Sequence, residues 1–361
     1  MNIAIIGCGV VGAAIAYELS QVPGLKITVF DKQPPAQAST GAALGVLVGI
    51  ISHKIKGKAW KLRQTSIQRY ETLIPELEAL TGHTIPFNRQ GILSLCLEAE
   101  DLAGWENLAE IRHSQGWELE IWDKAKLKDI CPQVNSPLVI GAVYSPQDRQ
   151  LDPTALTLAL VEAAQQKGVT FHFGMDVSSI STPENSKCNS VETTAGNFAA
   201  DWIIISAGLG STALTAQLNQ KIDIRPVLGQ ALQVSLGHPL GNPDFQPAIN
   251  GNDVHIVPIG GGDYWIGATV EFPINTGEIT ANQELLESVK QQAIALCPEL
   301  ATAKIVRTWS GLRPRPEGRP APVIGELPGL SNVLLATGHY RNGVLLAPAT
   351  ATMIREKIIG Q

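Results

Sequence analysis

Gly7, Gly9 and Gly12 stand at the spacing G-x-G-x-x-G, and Asp31 follows Gly12 by nineteen residues. Asn2–Ile6 before them is a short apolar run, Val10–Leu19 after them has helical periodicity, and Ile27–Phe30 is a second strand ending at Asp31. This pattern does one kind of chemistry well. Gly7 permits a tight turn out of the strand, Gly9 lets a pyrophosphate approach the backbone, and Gly12 lets helix and strand pack closely. The helix start offers free N–H groups and partial positive charge to phosphates, and Asp31 accepts from ribose hydroxyls. The apolar start is therefore read as a nucleotide-binding unit. A secretory signal would need basic residues before Lys26, and a membrane span would not hold Glu18 and three glycines.

A second set of chemistry-bearing residues lies near the C-terminus. Arg341, in HYRNG, precedes the start of a helix, where a cation is unfavourable, and so asks for an anionic partner. Arg313 sits among Arg307, Arg315 and Arg319 in a Pro-rich stretch, where a surface arginine is the default reading. Tyr340 is packing or a pocket wall. His255, within a strand, is either a satisfied core histidine or a site residue. The seven histidines and five cysteines show neither metal-ligand spacing nor a CxxC pair, so no metal is expected. The odd, scattered cysteines read as reduced thiols of a cytoplasmic protein. His53 and His83 read as solvent-facing, and Trp60, Ile67 and Tyr70 as core.

Elements must be found to hold these groups. The chain has 361 residues, 44% hydrophobic and 17% charged, with net charge −6. That suggests two domains and leaves no basic footprint for nucleic acid or an anionic membrane. Helices are expected over Lys54–Leu80, Asp101–Gln115, Asp123–Ile130, Pro153–Gln166 behind an Asp152 cap, from Ser211, over Asn282–Ala295 and over Gly343–Lys357. Strands are expected at Gly91–Leu97, Val139–Tyr144, Val169–Phe173, Val177–Ile180, Asp201–Ser206, Ile305–Leu312 and Val333–Ala336. Val191–Thr194 and Asn197–Ala200 read as a hairpin about Gly196. Period-2 strands alternate with turns from Pro226 to Phe272, an antiparallel sheet inserted between α/β pieces. Asn2–Asp31, Val169–Gly208 and Val333–Lys357 can share one central sheet. That exceeds a minimal NAD unit and suggests FAD. An NAD(P) dehydrogenase and a non-enzymatic nucleotide-binding protein stay open on the residues alone.

The motifs GCGVVG, ASTGAALGVL, HIVPIGGGDYWIGAT, SGLRPRPEGRPAPVIG and GHYRNGVLLAPATA, spread over almost the full length, resemble those of FAD-dependent amino-acid oxidases. The likeness is to the glycine oxidase and D-amino-acid oxidase group, particularly the glycine oxidases of thiamine biosynthesis. The resemblance implies an α/β fold with a Rossmann-like FAD-binding domain (1–80, 140–220 and 310–361) interleaved with an antiparallel-sheet substrate domain (81–139 and 221–309). It places Gly7, Gly9, Val10, Val11 and Gly12 at the pyrophosphate, Asp31 and Lys32 at the adenosine, and Ser39 and Thr40 on the phosphates. Leu44, Gly45 and Val46 run beside the isoalloxazine, and Val177 contacts adenine through its backbone. Ala207 and Gly208 support the cofactor, while Gly338, His339, Tyr340, Arg341, Asn342, Gly343, Val344 and Leu345 pass along the flavin. Arg313 and Arg341 take the substrate carboxylate, with His255 and Tyr340 beside them.

Three departures stand out: Leu44 where Ala is common, Val46 where Met is common, and His255 where glycine oxidases place Tyr. The implied activity is oxidative deamination of glycine or a small D-amino acid, with noncovalent FAD and O2 as acceptor. A homo-oligomer is compatible with this reading. The alternative is a dehydrogenase of the same flavin class that passes electrons to another acceptor.

Overall fold

The computed structural model describes residues 1–181, 187–273 and 279–360; parts of the expected domain segments, 182–186, 274–278 and 361, lie outside these. One sheet has six strands in the order Val323–Glu326, Val333–Thr337, Trp202–Ile205, Asn2–Ile6, Lys26–Asp31 and Thr170–Phe173. All neighbours are parallel except Val323–Glu326. Its inner strands Asn2–Ile6, Trp202–Ile205 and Val333–Thr337, buried on both faces, are near-continuous apolar runs, as a covered parallel sheet requires. Ile3, Ile5, Val29, Ile204 and Leu334 join the core under the helices Val10–Ser20, Pro153–Gln166 and Gly343–Ile359. Ala4, Ile6, Phe30, Ile203, Ile205 and Leu335 join the core on the opposite face.

That opposite face is covered by a three-stranded antiparallel meander, Val177–Ser181, Ser190–Thr193 and Gly196–Ala199. The piece Val169–Gly208, expected to share the central sheet, does so in part. Only Thr170–Phe173 and Trp202–Ile205 belong there, because the alternating residues between them bury one side only. Asp152 caps its helix as expected, accepting from the N–H groups of Thr154 and Ala155.

The second sheet has eight strands: Lys304–Pro316, Ile224–Ser235, Asp263–Gly267, Val254–Gly260, Ala248–Gly251, Ile92–Cys96, Gly141–Ser145 and Glu120–Asp123. Its neighbours are antiparallel except Ala248–Gly251 with Ile92–Cys96. One face, with Leu232, Tyr264, Ile266, Ile256 and Ile249, packs under the helix Gln283–Leu296. The residues in between point the other way. The expected boundaries split Lys304–Pro316 at 310 and assigned Gly141–Ser145 to the cofactor unit, yet both strands lie in this sheet. We propose accordingly that the second unit takes in 140–145 and 310–316.

Candidate active site

At the end of the first strand Gly7 turns with φ +102, and a Cβ there would lie 2.6 Å from the Ser206 carbonyl. Ser206 Oγ donates to the carbonyls of Ile6 (3.0 Å) and Gly7 (2.9 Å), tying the two parallel strands together at their C-terminal ends. A Cβ on Gly12 would sit 1.9 Å from the Gly7 carbonyl oxygen, so helix and strand touch backbone to backbone. Gly9 differs. Its φ is −73, and a Cβ would meet only the Thr40 hydroxyl, at 3.1 Å. As N-cap it has no side chain to offer the helix; Thr40 Oγ1 instead accepts from Val10 N–H at 3.0 Å. Asp31 accepts from Cys8 N–H through Oδ2 (2.6 Å) and from Gln33 N–H through Oδ1 (2.9 Å). Each oxygen keeps a lone pair for a ribose hydroxyl.

Ala207 and Gly208 close the end of Trp202–Ile205, with open space before Gly208. Val11 and Val177 are buried, Lys32 is exposed, and Ser39 donates to the Leu312 carbonyl at 2.6 Å. A bare glycine as N-cap, with an anchored carboxylate beyond it, fits the diphosphate and ribose of FAD.

The segment Leu44–Val46 lies between the two sheets. Gly45 (φ +69) presses so close to the Leu151 carbonyl that a Cβ would be 1.8 Å away. Leu44 packs with Ala231 and Val257 of the second sheet, and Val46 pairs with Gln150. Trp309 Nε1 donates to the Ala42 carbonyl at 3.1 Å, pinning this segment to the strand Lys304–Pro316. From the other side come Gly338 and Tyr340, both left-handed (φ +64 and +53), then the helix starting at Gly343, whose N-cap Asn342 makes no side-chain cap bond. Tyr70 donates its hydroxyl to the Val344 carbonyl, Leu345 is buried, and Arg63 Nη2 reaches Asn342 Oδ1 at 3.5 Å. The first-turn N–H groups of this helix suit a developing negative charge on a flavin.

The free face of the eight-stranded sheet forms the wall opposite. Arg313 pairs with Val227 across the strands, and its guanidinium lies over Gly229, where a Cβ would be 2.2 Å from Nη2. Nη1 donates to the Leu228 carbonyl at 3.0 Å. Ala231, Gly267, His255 and Asn250 follow on successive strands of that face. Arg341 reaches Asp253 Oδ1 at 3.6 Å. Burial, then the neighbouring Arg341, lower the Arg313 pKa, while Tyr340 and Glu271 oppose them. Burial and the two guanidiniums hold His255 down to about 4, with Asp253 opposing. Arg313, Arg341, Tyr340 and His255 thus form one electrostatic cluster, and His255 is neutral at ordinary pH.

His339 does not belong to that cluster. It is buried, Nε2 lies 3.0 Å from Thr350 Oγ1, and burial lowers its pKa from 6.5 to about 4. The unfolded chain binds this proton below pH 6.5 and the folded chain only below about 4. Its contribution is therefore whole above pH 6.5 and is lost as pH falls to about 4, amounting to about 3 kcal/mol at about 1.4 kcal/mol per pH unit. Thermal melting followed from pH 8 to 4.5 should show this acid loss, with His255 adding a loss of the same sign. His339→Gln should lower stability at pH 8 but flatten the slope; an unchanged slope would refute the assignment.

Several residues escaped the sequence reading. Asp253 was masked by the ordinary look of an Asn-Asp turn. Asp148 is fully buried and accepts from the N–H groups of Gly49, Ile50 and Ile51, each at 2.8 Å. Arg112 is buried against Trp60 and donates to the carbonyls of Ile50, Ser52 and Lys54. Together they fix the chain just after Leu44–Val46. Nothing in a single sequence marks a buried ion as a scaffold for backbone amides.

Residues 2–357 match the family model described as DAO, FAD dependent oxidoreductase. The chain is 30% identical over 361 residues to the glycine oxidase of Bacillus licheniformis, covering 99% of this chain and 92% of that protein. It is 32% identical over 369 residues to the bifunctional protein ThiO/ThiG of Synechocystis, covering all of this chain and 52% of that protein, so it spans about half of that relative's length. The crystal structure of glycine oxidase from Geobacillus kaustophilus superposes with a TM-score of 0.90 at 27% identity, over 99% of this chain and 94% of that one.

Proposed function

The chain belongs to the FAD-dependent oxidoreductase family, and from that premise we propose that it oxidatively deaminates glycine or a small D-amino acid, with a place in thiamine biosynthesis. The observation that carries this reading is the pair formed by Arg313, on the free face of the second sheet, and Arg341, on the segment Gly338–Leu345, which act on one another beside Leu44–Val46. Guanidinium forks match a carboxylate bidentately, and in a desolvated site they orient the rest of the molecule. FAD bound there would take the hydride from the substrate Cα and pass the electrons to O2, giving peroxide. Arg313 and Arg341 hold the carboxylate. Leu44, Val46, Ala231 and Val257 exclude water from the reacting carbon. Neutral His255 leaves the cationic fork undisturbed, and no side-chain base is required once the amine is neutral. The imine product hydrolyses in water to a 2-oxo acid and ammonia.

The five cysteines are buried, and burial pushes the Cys131 and Cys297 thiols up to about 12 and Cys188 to about 11, which supports noncovalent FAD. Heat should release FAD from the yellow holoprotein. Anaerobic glycine or D-alanine should bleach the flavin, and air should restore it with stoichiometric peroxide. A different released nucleotide, or no bleaching with any amine, would overturn the proposal. Dye reduction without peroxide would point to another acceptor.

A further inference from the structure

Asp253 stands at a hairpin tip. Gly251 pairs with Val254 and Asn250 with His255, leaving a two-residue turn, Asn252–Asp253, with both φ angles positive (51 and 62). Such a turn fixes its residues closely. It holds the exposed Asp253 carboxylate 3.6 Å from Arg341 Nη2, the guanidinium that the oxidase reading assigns to the substrate.

The charges facing the fork can be counted. Arg313 and Arg341 are cationic, and His255 is neutral. Glu271 also acts on Arg313, but from behind the sheet: it bridges to Leu228, on the opposite side from Gly229. Its oxygens are occupied by Thr269 Oγ1 (2.5 Å), Gln230 Nε2 (2.8 Å) and Asn282 N–H (2.9 Å). Among the groups that act on Arg313 and His255 from the open side, two cations and one anion leave a single net positive charge. One substrate carboxylate neutralises it; a second would meet Asp253.

We propose that Asp253 sets the charge selectivity of the site, discriminating against amino acids that carry a second carboxylate. The inference rests on the amino-acid-oxidising reading above. A rim carboxylate that shares an exposed ion pair costs a monoanion little but repels a dianion.

The test compares the wild-type holoenzyme with Asp253→Asn, since Asn adopts the same left-handed backbone. Dissociation constants of acetate and malonate, which cannot be oxidised, are read from the flavin spectrum. Asp253→Asn should tighten malonate about ten-fold and acetate no more than about three-fold. The kcat/KM for D-aspartate relative to glycine should rise about ten-fold in parallel. Asp253→Glu, which keeps the charge, should retain the wild-type ratios and serves if the Asn variant loses FAD: altered ratios in Asp253→Glu would then overturn the proposal. Unchanged malonate-to-acetate selectivity in Asp253→Asn would also overturn it. Wild-type enzyme that binds both anions but oxidises no amino acid would count against the oxidase reading instead, while the anion ratio still decides this one.

Discussion

Replacing Arg313 by Ala should lower kcat/KM for glycine about a hundred- to a thousand-fold while leaving the protein folded and yellow. The side chain is half-buried over Gly229 and spends one N–H on the Leu228 carbonyl, so it is already oriented before substrate arrives. Removing it strands a buried carboxylate without its partner, which costs about 2 to 5 kcal/mol. Arg313→Lys should recover little, because an ammonium cannot offer two parallel donors. Steady-state kinetics with glycine, alongside FAD content and melting temperature, checks this. Arg313→Ala with near wild-type kcat/KM would remove the guanidinium from the site.

Alanine at Gly9 and at Gly12 should fail in opposite ways. At Gly12 the new methyl would stand 1.9 Å from a backbone oxygen, and neither strand nor helix can retreat. That overlap should cost more than about 4 kcal/mol and leave little soluble protein. At Gly9 the φ is ordinary and the methyl meets only a hydroxyl at 3.1 Å, so the apoprotein should melt within about 1 kcal/mol of wild type. The methyl instead occupies the approach of the pyrophosphate, and FAD affinity should fall about ten- to a hundred-fold, the cost of overpacking. Apoprotein reconstituted with FAD and followed by flavin fluorescence separates the two. Gly9→Ala binding FAD as tightly as wild type would place the diphosphate elsewhere.

The nucleotide end was legible because its determinants are local: Gly7, Gly9, Gly12 and Asp31 lie within one strand–helix–strand unit. The arginines were harder. Alternation along Lys304–Pro316 puts Arg307, Arg313 and Arg315 on the same parity. Their partners separate them: Arg307 donates to Gln233, Arg315 pairs with Glu317, and Arg313 lays its guanidinium diagonally over Gly229. The motif resemblance, not the pattern, singled it out. Val323–Glu326 went unseen in its Pro- and Gly-rich setting, because its strand character depends on pairing with Val333–Thr337. The sequence order also hid the parallel pairing of Ala248–Gly251 with Ile92–Cys96, residues far apart along the chain.

The chain runs from the six-stranded sheet to the eight-stranded one and back, and then repeats the journey. Four separate peptide crossings therefore stitch the halves together, and a hinge would have to bend at all four in concert. Such connectivity disfavours a clamshell motion of the two halves. An amino acid must gain entry through local yielding at the rim, by hairpin tips and short turns, and neither half can be excised and expected to fold alone.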